Sequence, residues 1–106
     1  MPKFLLQASY TAEGAKGLLK EGGTKRRQAA ESAMKNAGGT IEAFYFAFGD
    51  DDAYVIVDAP DYATIASASI AINASGAVRT KTIALLTPED IDSAVKKSVN
   101  YRAPGQ

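Results

Sequence analysis

The sequence predicts an α+β domain with the ferredoxin-like order of strand, helix, strand, strand, helix, strand. Its first helix is split in two and an extra helix stands at the C-terminus. Three observations predict it. Apolar side chains alternate with period two over residues 3–10, 40–48, 53–59 and 78–86. Helix-period stretches follow the first, third and fourth of these, each with a cap or a glycine stop. The stretch 40–48, Thr-Ile-Glu-Ala-Phe-Tyr-Phe-Ala-Phe, is apolar on both faces: Phe44, Phe46 and Phe48 point one way, Ile41, Ala43, Tyr45 and Ala47 the other. A chain of 106 residues cannot usually cover both faces of an antiparallel sheet by itself. The expectation is helices on one face and a second copy on the other, two subunits pairing as a dimeric α+β barrel.

Taken in order, residues 3–10 alternate Phe4, Leu6, Ala8 and Tyr10 against Lys3, Leu5, Gln7 and Ser9. Thr11 is suited to cap a helix over 12–21, with Ala15, Leu18 and Leu19 on one side; Gly22-Gly23 stops it. Thr24 is expected to cap a second helix over 25–37, with Ala30, Ala33, Met34 and Ala37 as its narrow apolar face. Gly38-Gly39 ends that helix with residues that accept left-handed backbone angles. Gly49 to Asp52 is expected to join the two central strands as a solvated acidic hairpin turn. Pro60 breaks the third strand, and Asp61 caps a helix over 62–75 whose large apolar residues are Ile65, Ile70 and Ile72. In the fourth strand Val78, Thr80, Thr82, Ala84 and Leu86 share one face, Arg79, Lys81, Ile83 and Leu85 the other. Thr87-Pro88-Glu89-Asp90 starts the last helix with a cap, an N1 proline and early acids, and Ile91, Val95 and Val99 follow at helical spacing. Residues 1–99 are expected to form a single domain, and 100–106 a tail that frays or packs on a partner.

Composition excludes several chemistries. Lys plus Arg and Asp plus Glu both number 12, so no charge excess steers the chain toward nucleic acid or a membrane surface. With no cysteine there is no thiolate nucleophile, disulfide or cysteine metal site, and with no histidine the commonest general base and transition-metal ligand is missing. The apolar run at the N-terminus is too short for a signal peptide or a membrane helix, and cytoplasmic residence is the default expectation. No cofactor is expected. Asp50, Asp51 and Asp52 lack the spacing of a calcium loop, so no metal site is expected either.

The residues also resemble a known family. Phe4 to Gly14, Gly17 to Gly23, Glu42 to Gly49, Asn73 to Val78, Lys81-Thr82 and Leu85 to Glu89 are similar to the bacterial GYD-domain family over nearly the whole chain. The resemblance implies a dimeric α+β barrel of ferredoxin-like subunits, with no established family function. One departure stands out. The family's name motif places a tyrosine where this chain has Asp51, ahead of the matching Asp52; Tyr45 or Tyr54 would have to take over any role of that tyrosine.

Polar residues on otherwise apolar elements are the candidate sites. Tyr45, Asn73, Arg79 and Lys81 are expected to line a ligand pocket between sheet and helices; each alone is more often a satisfied structural group. Arg79 and Lys81 need an acid such as Asp58 or Glu42, a ligand, or a salt bridge across a dimer interface. Thr24, Arg26 and Arg27 are candidates for an anion clamp at the start of the second helix, the alternative being a solvated charge run paired with Glu21 or Glu31. The first functional expectation is a homo-oligomeric small-molecule-binding protein. The second is a cofactor-independent oxygenase or isomerase using Tyr45, Lys20 or Lys81 for proton transfer. The third is an assembly or scaffold subunit. The chain itself is the expected partner, with a small-molecule ligand beside it.

Overall fold

The computed structural model describes residues 1–106. The chain runs β1 (Lys3–Tyr10), α1 (Ala12–Glu21), α2 (Gly23–Ala37), β2 (Thr40–Phe46), β3 (Ala53–Asp58), α3 (Tyr62–Ala74), β4 (Val78–Leu85) and α4 (Pro88–Val95). The strands form one sheet in the order β2-β3-β1-β4, every neighbouring pair antiparallel. That is the ferredoxin-like arrangement expected from the element order.

One face of the sheet is covered. Phe4 and Leu6 of β1, Val55 and Val57 of β3, Met34 of α2, and Ile65 and Ala68 of α3 form the core with Ala59. A smaller cluster of Ala8, Ala53 and Val78 continues it toward the other end of the sheet. Small residues let α3 sit close over the sheet, and the buried rings and branched chains beneath contribute about 1.5–3 kcal/mol each through burial.

Several local expectations change. Gly22 closes α1, its amide donating to the Leu18 carbonyl, and also stands at the N-cap of α2. With φ of 82° it turns the corner in a single residue, a conformation glycine reaches without a Cβ clash. The second helix therefore begins at Gly23, and Thr24 lies inside its first turn instead of capping it. In α1 the buried residue is Gly14, not Leu19, which is 88 % exposed. The backbone carbonyl of Ala77 crosses where a side chain at Gly14 would stand, and Thr11 ties the two segments by donating from its hydroxyl to Gly76 O at 2.8 Å.

The second strand changes more. A β-bulge at Glu42 shifts the register between Ile41 and Ala43. Ile41 therefore joins Phe44 against the core, while Ala43 and Tyr45 face the uncovered side. The strand ends at Phe46, and Phe48 is fully exposed. Simple alternation put Ile41 on the wrong face because one inserted residue inverts the parity of everything before it.

The molecule is elongated. Its radius of gyration is 17.0 Å and its extents are 56 × 32 × 22 Å, against about 13 Å expected for a compact domain of this length. No helix is long and apolar enough to cross a membrane.

Candidate functional site: an open sheet face and a docked acidic turn

The face of the sheet opposite the helices has no cover. The register sets Leu5 between Ile56 and Ile83, Ala43 beside Ile56, and Tyr45 beside Tyr54. Tyr45 is 71 % and Ile83 43 % exposed; Leu5, Ala43, Tyr54 and Ile56 are half-buried. An antiparallel sheet with one solvated face usually alternates apolar in and polar out. Here the centre of the outer face is apolar, and its rims are charged.

At one rim, Lys3 donates to Asp58 Oδ1 at 2.9 Å and to Glu42. These hydrogen bonds, Glu42 first and then Asp58, raise the Lys3 ammonium above its ordinary range. The two acids expected to serve Arg79 and Lys81 are thus engaged by Lys3. Lys81 instead reaches Asp51 Oδ1 at 3.6 Å, and Arg79 forms no ion pair.

At the opposite rim the acidic turn docks onto β1. It is not a freely solvated loop. Asp51 is 4 % exposed, and its carboxylate accepts from the Ser9 hydroxyl at 3.0 Å. Asp52 accepts from the Tyr10 amide at 2.8 Å, and its own amide donates to the Ala8 carbonyl at 2.8 Å. The pairing of Ala53 with Ala8 brings the turn there. Asp51, where the resemblance placed a departure from the family motif, is therefore a buried carboxylate bonded to Ser9. Tyr45 and Tyr54 stand side by side on the open face.

Asn73 works within its own chain. Its amide nitrogen donates to Ser69 O at 2.6 Å and to Thr80 Oγ1 at 2.8 Å, and its Oδ1 accepts from the Thr80 amide at 3.1 Å. It clips the edge strand β4 to α3. The four residues expected to share one pocket are thus separated. Tyr45, Arg79 and Lys81 belong to the open face, and Asn73 to the junction of α3 and β4.

Between sheet and helices lies a cavity of only about 50 Å³, lined mainly by apolar residues including Leu6, Met34, Phe44 and Ile72. None of Tyr45, Asn73, Arg79 or Lys81 lines it. Its polar residues are Tyr10, Arg26 and Thr80, which sequence reasoning did not bring together. Burial raises the Tyr10 hydroxyl above its ordinary value, while the neighbouring Arg26 guanidinium opposes the rise. Arg26 lines this cavity, whereas Thr24 and Arg27 border a separate exposed hollow beside Phe44 and Phe46. The expected anion clamp is therefore divided between two places. No group of three or more acidic side chains converges as a metal site. Lys20 and Lys81, like Tyr45, are exposed and border no enclosed space.

The docked turn and the division of roles had one readable signal. In the ferredoxin-like order the third strand pairs with the first, which places Asp51 and Asp52 beside Ser9 and Tyr10.

The family profile described as GYD domain matches residues 4–95. A protein of Thermus thermophilus named glutamine synthetase and cystathionine beta-lyase binding protein is 27 % identical over 96 residues, covering 91 % of this chain and 100 % of that one. No solved structure matches. The chain belongs to the GYD domain family.

Proposed function

We propose that this GYD-domain chain is a homo-oligomeric binding subunit that pairs through the open face of its sheet and acts by holding a partner protein. The observation that carries the reading is a contrast of surfaces. The cavity between sheet and helices is about 50 Å³, below the about 300–1,000 Å³ of ligand pockets, while a surface hollow of about 500 Å³ lies beside Phe4, Tyr62 and Leu86. The uncovered apolar surface around Leu5, Tyr45, Ile56 and Ile83 is broad, and contiguous patches of this kind mark association sites. In this reading Tyr45, Arg79 and Lys81 serve an interface. Asn73 serves the fold.

The relative's name supports a partner class. That protein is called a binding protein for glutamine synthetase and cystathionine beta-lyase. By likeness, the partner here is an enzyme of one of those two kinds, met in the cytoplasm. Balanced charge and the small size of the cavity between sheet and helices suit a module that binds without transforming.

A small-ligand reading keeps one observation: Arg26, which forms no ion pair, stands with Tyr10 beside an apolar cavity. A molecule held there would have to be small and anionic.

Native mass spectrometry of the untagged chain, alone and mixed with each purified enzyme, tests the proposal. The expected result is a dimer without added mass that forms a complex with one of the enzymes. A monomer overturns the pairing. A dimer carrying a stoichiometric small molecule, and binding neither enzyme, overturns the protein-binding reading.

A further inference from the structure

The cavity between sheet and helices owes its space to small residues. Ala8 of β1, Ala53 of β3 and Val78 of β4 line it from the sheet, and Ala8 pairs with Ala53 on one side and Thr80 on the other. Ala30 of α2 lines it from the helix side. Ala30 lies midway between Arg26 and Met34, and a spacing of four puts all three on one face of the helix. Met34 is buried in the core, so that face is turned to the sheet. Arg26 is therefore a cation on a stripe where a helix ordinarily carries apolar residues. It is half-buried and forms no ion pair. A charge drawn partly out of water calls for a counterion.

Two neutral donors join it. Tyr10 is two residues along β1 from Ala8 and shares its side of the sheet, and its hydroxyl stands next to the Arg26 guanidinium. Burial keeps that hydroxyl protonated at neutral pH. Thr80 is the other. Its Oγ1 accepts from Asn73 Nδ2 at 2.8 Å, which leaves the hydroxyl hydrogen free to donate into the cavity. Tyr10, Arg26 and Thr80 are half-buried, whereas Leu6, Met34 and Val55 are buried. The polar groups thus stand at the open end, and the apolar walls lie beyond them. No acid lines the cavity. Asp52, the carboxylate whose charge reaches the Tyr10 hydroxyl, is occupied by the Tyr10 amide.

We infer that this cavity takes a short-chain monocarboxylate, its head group against Arg26, Tyr10 and Thr80 and its alkyl end between Ala8, Ala30 and Val78. Charge decides the head group. One guanidinium balances one negative charge and meets a planar carboxylate through two parallel hydrogen bonds. A dianion such as phosphate would keep an unbalanced charge against apolar walls. Volume decides the tail. The cavity of about 50 Å³ holds about three to five water-sized atoms, at about 10–15 Å³ each. A tail of butyrate length fits, and one of octanoate length does not. The inference deepens the small-ligand observation made above and is independent of the pairing of faces. With so few atoms the ligand exchanges freely, so the isolated chain is still expected without added mass.

Titration of the full chain, followed through its backbone amide resonances at fixed ionic strength, tests this with sodium butyrate, sodium octanoate and sodium phosphate as probes. Butyrate is expected to move the amides of Tyr10, Ala30 and Thr80 along a saturating curve, and the other two are not. Arg26→Met keeps the side chain's apolar stem and is expected to weaken butyrate about tenfold or more, whereas Lys25→Met, one residue away on an exposed side chain, binds as the parent does. Ala30→Leu leaves all three donors in place, fills the apolar end and should also lose butyrate. No saturating shift with any probe overturns the site. Phosphate that saturates the same amides, and does so only while Arg26 is present, keeps an anion site and overturns the carboxylate assignment. Butyrate binding undiminished by Arg26→Met or by Ala30→Leu overturns the inference.

Discussion

The carboxylate of Asp51 is buried against the hydroxyl of Ser9, 42 residues away in sequence, with an oxygen–oxygen distance of 3.0 Å. This bond holds the loop between β2 and β3 onto the end of β1. Removing one partner of a buried hydrogen bond leaves the other unsatisfied, which costs more than the bond itself contributes. Ser9→Ala is therefore expected to destabilise the fold by about 1–3 kcal/mol. Urea unfolding checks it. Lys81→Met, which removes only a largely exposed ion-pair partner, should cost about 1 kcal/mol or less.

Two glycines of the same helix should respond with opposite signs. A Cβ on Gly14 would stand 2.0 Å from the Ala77 carbonyl oxygen, whereas one on Gly17 would meet nothing within 4 Å. Gly14→Ala is expected to cost about 1–3 kcal/mol through overpacking. Gly17→Ala should stabilise by about 0.5–1 kcal/mol through helix propensity. Thermal melts of the two variants side by side decide the matter.

The core carries its own asymmetry among large apolar residues. Phe4 is 2 % exposed and packs edge-on against Tyr62 with ring centroids 5.8 Å apart. Phe4→Ala should cost about 3–5 kcal/mol. Leu19→Ala, on the solvent side of α1, should stay within about 0.5 kcal/mol of the parent. A denaturation midpoint that moves equally for both would contradict this packing.

Tyr10 gives a pH dependence at the alkaline end. Burial raises its hydroxyl above the ordinary value of 10.0. The folded state therefore holds this proton longer than the unfolded state does. Its contribution to stability is complete below about 10 and is lost as pH rises through the folded value. Spectrophotometric titration should show one of the five tyrosines ionising above the ordinary value. Arg26→Gln should move that step higher, because the guanidinium lowers it.

Asp61 gives the opposite dependence. Its hydrogen bonds from the Thr64 side chain and then the Thr64 amide hold the carboxylate below its ordinary value. The stabilisation is present above the ordinary carboxylate range and is lost as pH falls through the folded value. Asp61→Asn keeps an N-cap oxygen without the charge. In acid titrations followed by circular dichroism, the variant should lack that part of the loss.

The candidate site was legible only in pieces. Alternation identified Arg79, Lys81 and Ile83 as sharing one face of β4, and the structure keeps them there. It identified Tyr45 as facing away from Phe44 and Phe46, which also holds. What it could not supply was the neighbourhood of each side chain. Asn73 reads equally well as a pocket residue or as a clip, and only the position of Thr80 opposite α3 makes it a clip. The KRR run reads as one patch, yet the helix directs Arg26 to the cavity and Arg27 to the exposed hollow.

The sequence by itself determined the order of elements, the covered sheet and the family. Those depend on period, caps and glycine stops, which act within a few residues. Thr87, Pro88 and Asp90 start a helix wherever the chain carries them, and Gly38 with φ of 105° ends one. The tertiary structure alone decided the face of Ile41, the burial of Asp51, the size of the cavity and the exposure of α4. Each depends on registers and contacts between residues far apart in the chain. A single bulge at Glu42, or the distance between α2 and the sheet, changes those contacts without altering any local pattern.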